Sequence, residues 1–171
     1  MFQIKIFSEE VGLFLGERGE LFSVEPPFRW VRSGVRGLEF YPPLKRLLFW
    51  QKDKIDILDF SEKPQLVWVL RRGESIEEVF WVYEGSHILF RDQGKVFLVA
   101  LETHGKPHLH FLFEVKGDSP IVYSEESGKV YYLDKAKARL TSVEILPRGK
   151  VLRLPFPERK EEKKKSQLQE L

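Results

Sequence analysis

The chain repeats itself without a gap, and this narrows its fold more than any other property. "VRGLEFYPPLKRLLFWQKDKIDILDF" (Val35 to Phe60) lies over "IEEVFWVYEGSHILFRDQGKVFLVAL" (Ile76 to Leu101) at a constant offset of 41 residues. Leu38 falls on Val79, Phe40 on Trp81, Leu47 on Ile88, Phe49 on Phe90, Lys54 on Lys95, Ile55 on Val96 and Ile57 on Leu98. A third copy follows at an offset of 42. There Val130, Tyr131 and Tyr132 match Ile88, Leu89 and Phe90, Lys137 matches Lys95, and Leu140 matches Leu98. A weaker copy, "VGLFLGERGELFSVE" (Val11 to Glu25), precedes them at an offset of 34.

Within each unit the pattern is strand-like. "KIDILDF" sets Ile55 and Ile57 on one side and Asp56, Leu58 and Phe60 on the other, and "KVFLVAL" is apolar on both faces, as in a strand packed between two layers. Turn signals separate the runs at "PP" (26–27 and 42–43), "EGS" (84–86), "DQGK" (92–95) and "ESGK" (126–129). In the second full unit, strands are expected near Glu77–Tyr83, His87–Arg91, Lys95–Leu101 and Leu109–Glu114. Four strands in about 40 residues is the period of a propeller blade, whose two apolar faces must be covered by neighbouring blades. The expected fold is all-β, with propeller-type repeats of about four blades, each of four antiparallel strands. The blades are expected at 1–33, 34–73, 74–116 and 117–157, closing as a small ring or forming an arc of a larger propeller. Residues 158–171, "ERKEEKKKSQLQEL", read as a charged, disordered tail.

Composition excludes several function classes. Apolar residues make up 42% of the 171, so there is material for a core. The 28 basic and 26 acidic residues nearly balance, which argues against a nucleic-acid surface. There is no cysteine, hence no disulfide, thiolate nucleophile or Cys-type zinc site. No apolar run approaches the roughly 18 residues of a membrane span, so no direct membrane insertion is expected of this chain. "MFQIKIFSEE" lacks a signal-peptide pattern, which implies the cytoplasm if the chain is complete.

"VRGLEFYPPLKRLLFWQKDKIDILDF" followed by "RRGESIEEVFWVYEGSHILFRDQGKVFLVALE" resembles the WD-like (TolB-like) β-propeller region of bacterial envelope-associated proteins that also carry PEGA domains. The resemblance rests on Tyr41-Pro42, Leu47 to Trp50, Ile55 to Phe60, then Ile76, Val79 and Trp81, and "SGKVYYLD" (Ser127 to Asp134), within about Val11 to Leu146. It implies a propeller, a bacterial source, an extracytoplasmic location and a protein or cell-envelope partner. The Gly-His and Trp-Asp pairs of true WD repeats are missing, so their hydrogen-bonded tetrad is not expected.

Three groups of side chains are candidates for chemistry. His108 and His110 in "THGKPHLHFLFE" share one strand face, and with Glu114 (and His104 upstream) could build a metal site of the cupin kind. The repeat offers a plainer reading. "PHLHFLF" occupies the slot of "PQLVWVL" (Pro64 to Leu70), which puts His108 and His110 where Gln65 and Val67 stand, on the outer edge strand of a blade. The carboxylate pairs of "SEE" (8–10), "IEE" (76–78) and "SEES" (124–127) fall at turns or strand edges rather than in a cleft. The tryptophans recur with the blades. Core packing between blades is the plainer expectation for Trp30, Trp50, Trp68 and Trp81, and Trp50 and Trp68 are candidates for an exposed platform. Arg32, Arg36, Arg71 and Arg72 lie in the links between units and would form a basic rim. The reading adopted is a non-enzymatic interaction or structural module without a cofactor. It would bind a partner through the rim (Arg32, Arg36, Arg71, Arg72, Trp50, Trp68), or associate with itself through an exposed blade face. The alternative is a metal-dependent or carbohydrate-active enzyme centred on His108, His110 and Glu114.

Overall fold

Alternating apolar residues with tight turns every few residues produce four antiparallel sheets, each a meander of successive strands. The computed structural model describes residues 3–8, 11–23, 30–101, 108–117, 119–135 and 137–145. The first sheet holds β1 (Gln3–Ser8), β2 (Val11–Leu15), β3 (Leu21–Ser23) and β4 (Trp30–Arg32). The second holds β5 (Gly37–Tyr41), β6 (Arg46–Trp50), β7 (Ile55–Asp59) and β8 (Gln65–Leu70). The third holds β9 (Ile76–Val82), β10 (His87–Asp92), β11 (Lys95–Ala100) and β12 (His108–Glu114). The fourth holds β13 (Ile121–Ser124), β14 (Lys129–Asp134) and β15 (Arg139–Glu144). A single 3-10 turn, Pro42–Leu44, is the only helical element among the described residues. The tail at 158–171, the end of the unit at 117–157, the "PP" turn at 26–27 and His104 lie outside the described residues.

The repeat is reproduced at the level of individual backbone pairs. Leu38 pairs with Phe49 and Val79 with Phe90; Phe40 pairs with Leu47 and Trp81 with Ile88. Even the irregularity recurs. A register shift lies between Ile55 and Asp56 against β8, and another at the equivalent Val96 and Phe97 against β12. Past it, Asp56 pairs with Trp68 and Phe97 with Phe111. The β10–β11 hairpin turns on two residues, Gln93 and Gly94, both with positive φ (49° and 76°), the left-handed pair that a tight two-residue hairpin requires.

One alignment within the fourth unit needs correction. The β14–β15 turn is two residues longer than the β10–β11 turn, so Arg139, not Lys137, stands where Lys95 stands. Leu140 pairs with Leu133 as Val96 pairs with Arg91, so Leu140 is the counterpart of Val96 rather than Leu98.

Stacking of the sheets creates three cores, one per seam. Leu13 and Leu21 of the first sheet pack with Leu47 and Phe49 of the second. Leu48, Ile55 and Ile57 of the second pack with Val79, Trp81, Ile88 and Phe90 of the third. Leu89, Val96 and Leu98 of the third pack with Ile121, Val130 and Ile145 of the fourth. Consecutive residues of one strand thus enter different cores, because strand side chains alternate between faces. Backbone bonds fasten the second, third and fourth sheets at one end. Phe60, Leu101 and Ile145 each donate an N–H back to the turn between the first two strands of their own sheet, to Lys45, Ser86 and Gly128.

Phe90 is 1% exposed in the central seam. Phe90→Ala is expected to lower the unfolding free energy by about 3–5 kcal/mol, as for other large-to-small core substitutions. Urea denaturation followed by far-UV circular dichroism measures this directly, and a loss below about 1 kcal/mol would mean that this seam is not packed as described.

Candidate functional site

The basic rim is where the structure brings the most sequence candidates together. The link 33–36 leaves the first sheet and crosses the end of β6. Arg36 N–H donates to the Trp50 carbonyl at 2.8 Å, and Gln51 donates its side-chain amide to the Ser33 carbonyl. The link from β8 to β9 crosses the next turn in the same way, with Gly73 N–H to the Asp53 carbonyl at 2.9 Å and Ile76 N–H to the Lys52 carbonyl at 2.7 Å. The Arg36 guanidinium then donates to the Ile76 carbonyl at 3.2 Å, tying one link to the other.

At the side of this rim lies a charge cluster that motif reading does not single out. Asp56 is buried, with 1% of its side chain exposed. Arg71 reaches it at 2.6 Å and Arg32, from the last strand of the first sheet, at 3.5 Å. The Arg71 guanidinium also lies over the Trp68 ring, 4.7 Å from its centroid, in cation–π contact. Trp68 itself is 66% exposed. Of the candidates, Arg32, Arg71 and Trp68 therefore converge on Asp56. Arg36 and Arg72 are exposed nearby in the chain. Trp50 turns inward instead, half-buried against the second seam and closed over Gly37, which leaves no room for a Cβ there. Trp81 is buried in the same core. The sequence signal that could have found Asp56 is its counterpart Phe97: a carboxylate in a row that is otherwise apolar.

A second buried charge bridges the third and fourth sheets. Arg91, 5% exposed, pairs with Glu78 at 3.0 Å and with Glu77 at 2.5 Å, and donates to the Ser119 carbonyl. Glu78 in turn accepts from Ile121 N–H at 3.3 Å, and the Ser119 hydroxyl accepts from Leu133 N–H at 2.9 Å. Burial raises the Glu78 carboxyl above its ordinary pKa, outweighing the pull of Arg91 in the other direction. The "IEE" carboxylates are thus part of a seam. Glu125 of "SEES" accepts from Glu84 N–H at 3.1 Å, and Glu9 and Glu10 lie outside the described residues. Burial, followed by the charges of Glu125 and Glu144, pushes the Tyr83 hydroxyl up to about 12. The neighbouring Tyr123 is raised by burial and by Glu125.

His108 and His110 lie on β12, the outer strand of the third sheet, both exposed, with ring centroids 6.4 Å apart. Glu114 ends the same strand, paired with Lys95. Among the described residues, no group of three or more His, Asp or Glu comes close enough to hold a metal ion.

Comparison with known proteins agrees with the fold. No family profile matches the chain, and no curated protein is similar to it. Among solved structures it is similar to an auxiliary nutrient binding protein from Bacteroides thetaiotaomicron (TM-score 0.53, 14% identity, 83% of this chain and 40% of that one). It is also similar to the WD40 domain of SCAP from fission yeast (TM-score 0.54, 13% identity, 85% of this chain and 39% of that one). The chain is therefore a WD40-like β-propeller segment, and it spans about two fifths of the length of each of these structures. No helix among the described residues is long and apolar enough to cross a membrane.

Two outcomes follow. Asp56→Ala strands two arginines at a seam and is expected to cost about 3–5 kcal/mol, the usual effect of removing one partner of a buried ion pair. Chemical denaturation would show a much smaller loss if the cluster were only surface charge. Asp59 gives the pH dependence. Burial opposes its ionisation, but hydrogen bonds from Ser61 and from Arg46, 2.8 Å away, outweigh it and hold the carboxyl below its ordinary value. A depressed folded-state pKa stabilises above the ordinary carboxylate range and is lost as pH falls through the lowered value. The stability difference between wild type and Asp59→Asn should therefore be constant near neutrality and shrink in acid, as read from urea midpoints across that range.

Proposed function

We propose that this protein is a non-enzymatic binding module of the bacterial cell envelope, a run of propeller blades that holds an acidic protein partner at the rim between its first and second sheets. Trp68 is the observation that carries this reading. A largely exposed indole is held in position by the Arg71 guanidinium, which is itself anchored on buried Asp56. A rigid aromatic surface loses little conformational entropy on binding, and Trp and Arg are the side chains most enriched at binding hot spots. Arg36 and Arg72, both exposed, add positive charge to the links that frame it. The similarity to a nutrient binding protein and a WD40 domain supports binding in general, and the resemblance to envelope-associated propellers supports the compartment.

The test is a fluorescence titration with a poly-glutamate peptide, with poly-glutamine of the same length as the control. Binding of the acidic peptide alone is expected, with an indole signal that disappears in Trp68→Phe. Affinity should fall about ten-fold in the Arg36→Glu/Arg72→Glu double variant and weaken with added salt, as rim electrostatics requires. Equal behaviour toward the two peptides, or no change in the arginine variant, would sink this assignment.

A further inference from the structure

We propose that the outer edge of β12 takes up an extended segment of a partner protein as a fifth, antiparallel strand, one whose side chains alternate between apolar and acidic. The inference is independent of the rim reading. β12 ends the third sheet, and among the described residues it pairs with β11 alone. The direction of its main-chain groups follows from the hairpin before it. A two-residue hairpin is closed by a hydrogen-bonded pair, here Asp92 and Lys95, so the odd-numbered residues of β11 turn their N–H and C=O toward β10. Leu101 keeps this phase, its N–H donating to the Ser86 carbonyl. Leu98 and Ala100 therefore turn toward β12, and their partners His110 and His108 turn back toward β11. Leu109 and Phe111 point their N–H and C=O the other way, along the open edge. Native edges are commonly blunted by lysine, proline or other charges, and residues 108–113, "HLHFLF", hold no lysine, proline or acid. The register shift against β11 lies past Phe111, so 108–111 run as regular strand.

The two sides of this edge differ in chemistry, and together they define the occupant. Leu109 pairs with Val99 and Phe111 with Phe97, on the side that packs against the second sheet. Leu109 is 50% exposed and Phe111 58%. Val67, on the facing side of the second sheet, is 43% exposed. Phe90, Phe97 and Phe111 form an aromatic row that steps outward from the core, with successive ring centroids 5.3 and 5.8 Å apart. An apolar side chain on an added strand would extend that row and remove its exposed end from water. The other side carries His108 and His110, both exposed, and an imidazole N–H donates readily to a carboxylate. Their ring centroids are 6.4 Å apart. At about 3.4 Å per residue, carboxylates two residues apart on a strand are spaced by about 6.8 Å, so successive acids of one segment match the two rings. Residues directly opposite one another in an antiparallel ladder share a face. Apolar residues therefore stand opposite Leu109 and Phe111 and exchange main-chain bonds with them, while acids stand opposite His108 and His110. Glu114, the one acid on β12, lies at the far end of the strand on the apolar side, paired with Lys95.

The test uses the full chain and, as probe, a capped heptapeptide that alternates glutamate and valine. Isothermal titration calorimetry should show one peptide bound per chain. N-methylation of the valines, whose N–H groups bond to β12 in this arrangement, should weaken binding about ten-fold or more. N-methylation of the glutamates, whose N–H groups face solvent, should change it little. A lysine–valine peptide should bind about ten-fold less tightly than the glutamate one, and His108→Ala/His110→Ala should lose that preference. Leu109→Pro removes an outward donor and leaves the bonds to β11 in place, so it should fold, as judged by circular dichroism, and no longer bind. Arg36→Glu/Arg72→Glu should bind the peptide as the wild type does, which separates this edge from the basic rim. Absence of binding overturns the proposal, and so does equal weakening by methylation at valine and at glutamate. Binding that is lost in the arginine variant and unaffected by Leu109→Pro belongs to the rim and overturns it too. If Leu109→Pro does not fold, the two methylated peptides decide the matter on the wild-type chain. A wild-type dimer that Leu109→Pro converts to a monomer would give the edge to a second copy of this chain, which excludes the acidic segment as its occupant.

Discussion

The second and third sheets are apolar on both faces, and much of the rest of the structure follows from that constraint. On β10, Ile88 and Phe90 enter one core while Leu89 and Arg91 enter the next. A sheet of this kind has no solvent side, so it cannot be stable by itself. Burial of apolar area is the main favourable term in folding, and here it is available only when a neighbour arrives on each side. The same logic explains why the repeat is conserved down to the register shift in the third strand. A one-residue slip would exchange the two faces and empty both seams at once.

The seams are nonetheless not interchangeable, and polar groups make the difference. One blade position holds Trp50 in the second sheet, Arg91 in the third and Leu133 in the fourth. Another holds Asp56 in the second and Phe97 in the third. Asp56 is satisfied by Arg32 from the sheet before it, and Arg91 by Ser119 from the link to the sheet after it. A buried charge is expensive unless its own partner is present. Near-identical sheets stacked in the wrong order would keep the partners within each sheet, Arg71 for Asp56 and Glu77 and Glu78 for Arg91, but would lose the bonds across the seams from Arg32 and to Ser119, which favours the native order.

What the sequence makes legible depends on turn length. The second and third sheets share the same β-turn spacing, so a constant offset aligns them pair for pair and their strand limits can be read to within a residue or two. In the fourth unit the longer turn after Asp134 displaces everything beyond it, and the offset no longer matches Leu140 to its counterpart. Arg32 and Arg71 can be read from their place at the links between units, and Trp68 from its place on the outer strand. Their common partner is marked only by its apolar counterpart Phe97. Asp56 sits in an alternating strand where a carboxylate ordinarily faces water, and its pairing with Arg71 and with Arg32 from another sheet accounts for its burial. The histidines are the reverse case. His-x-His spacing suggests chemistry when read locally, and the slot equivalence with Gln65 and Val67 places them on an outer edge.

The Arg71 side chain links the seam to the surface. Its guanidinium is shared between buried Asp56 and exposed Trp68, so the geometry of the indole depends on Asp56, the carboxylate that Arg32 of the first sheet also reaches. A ligand that prefers the indole in the stacked form stabilises that seam, by linkage, by as much as it prefers the stacked form to the separated one. The dependence also runs the other way. Loosening the seam takes Arg32 away from Asp56, the carboxylate on which Arg71 and the fixed aromatic surface rest. In a fold built by stacking two-faced sheets, a surface anchored in this way reports on whether its neighbours are in place.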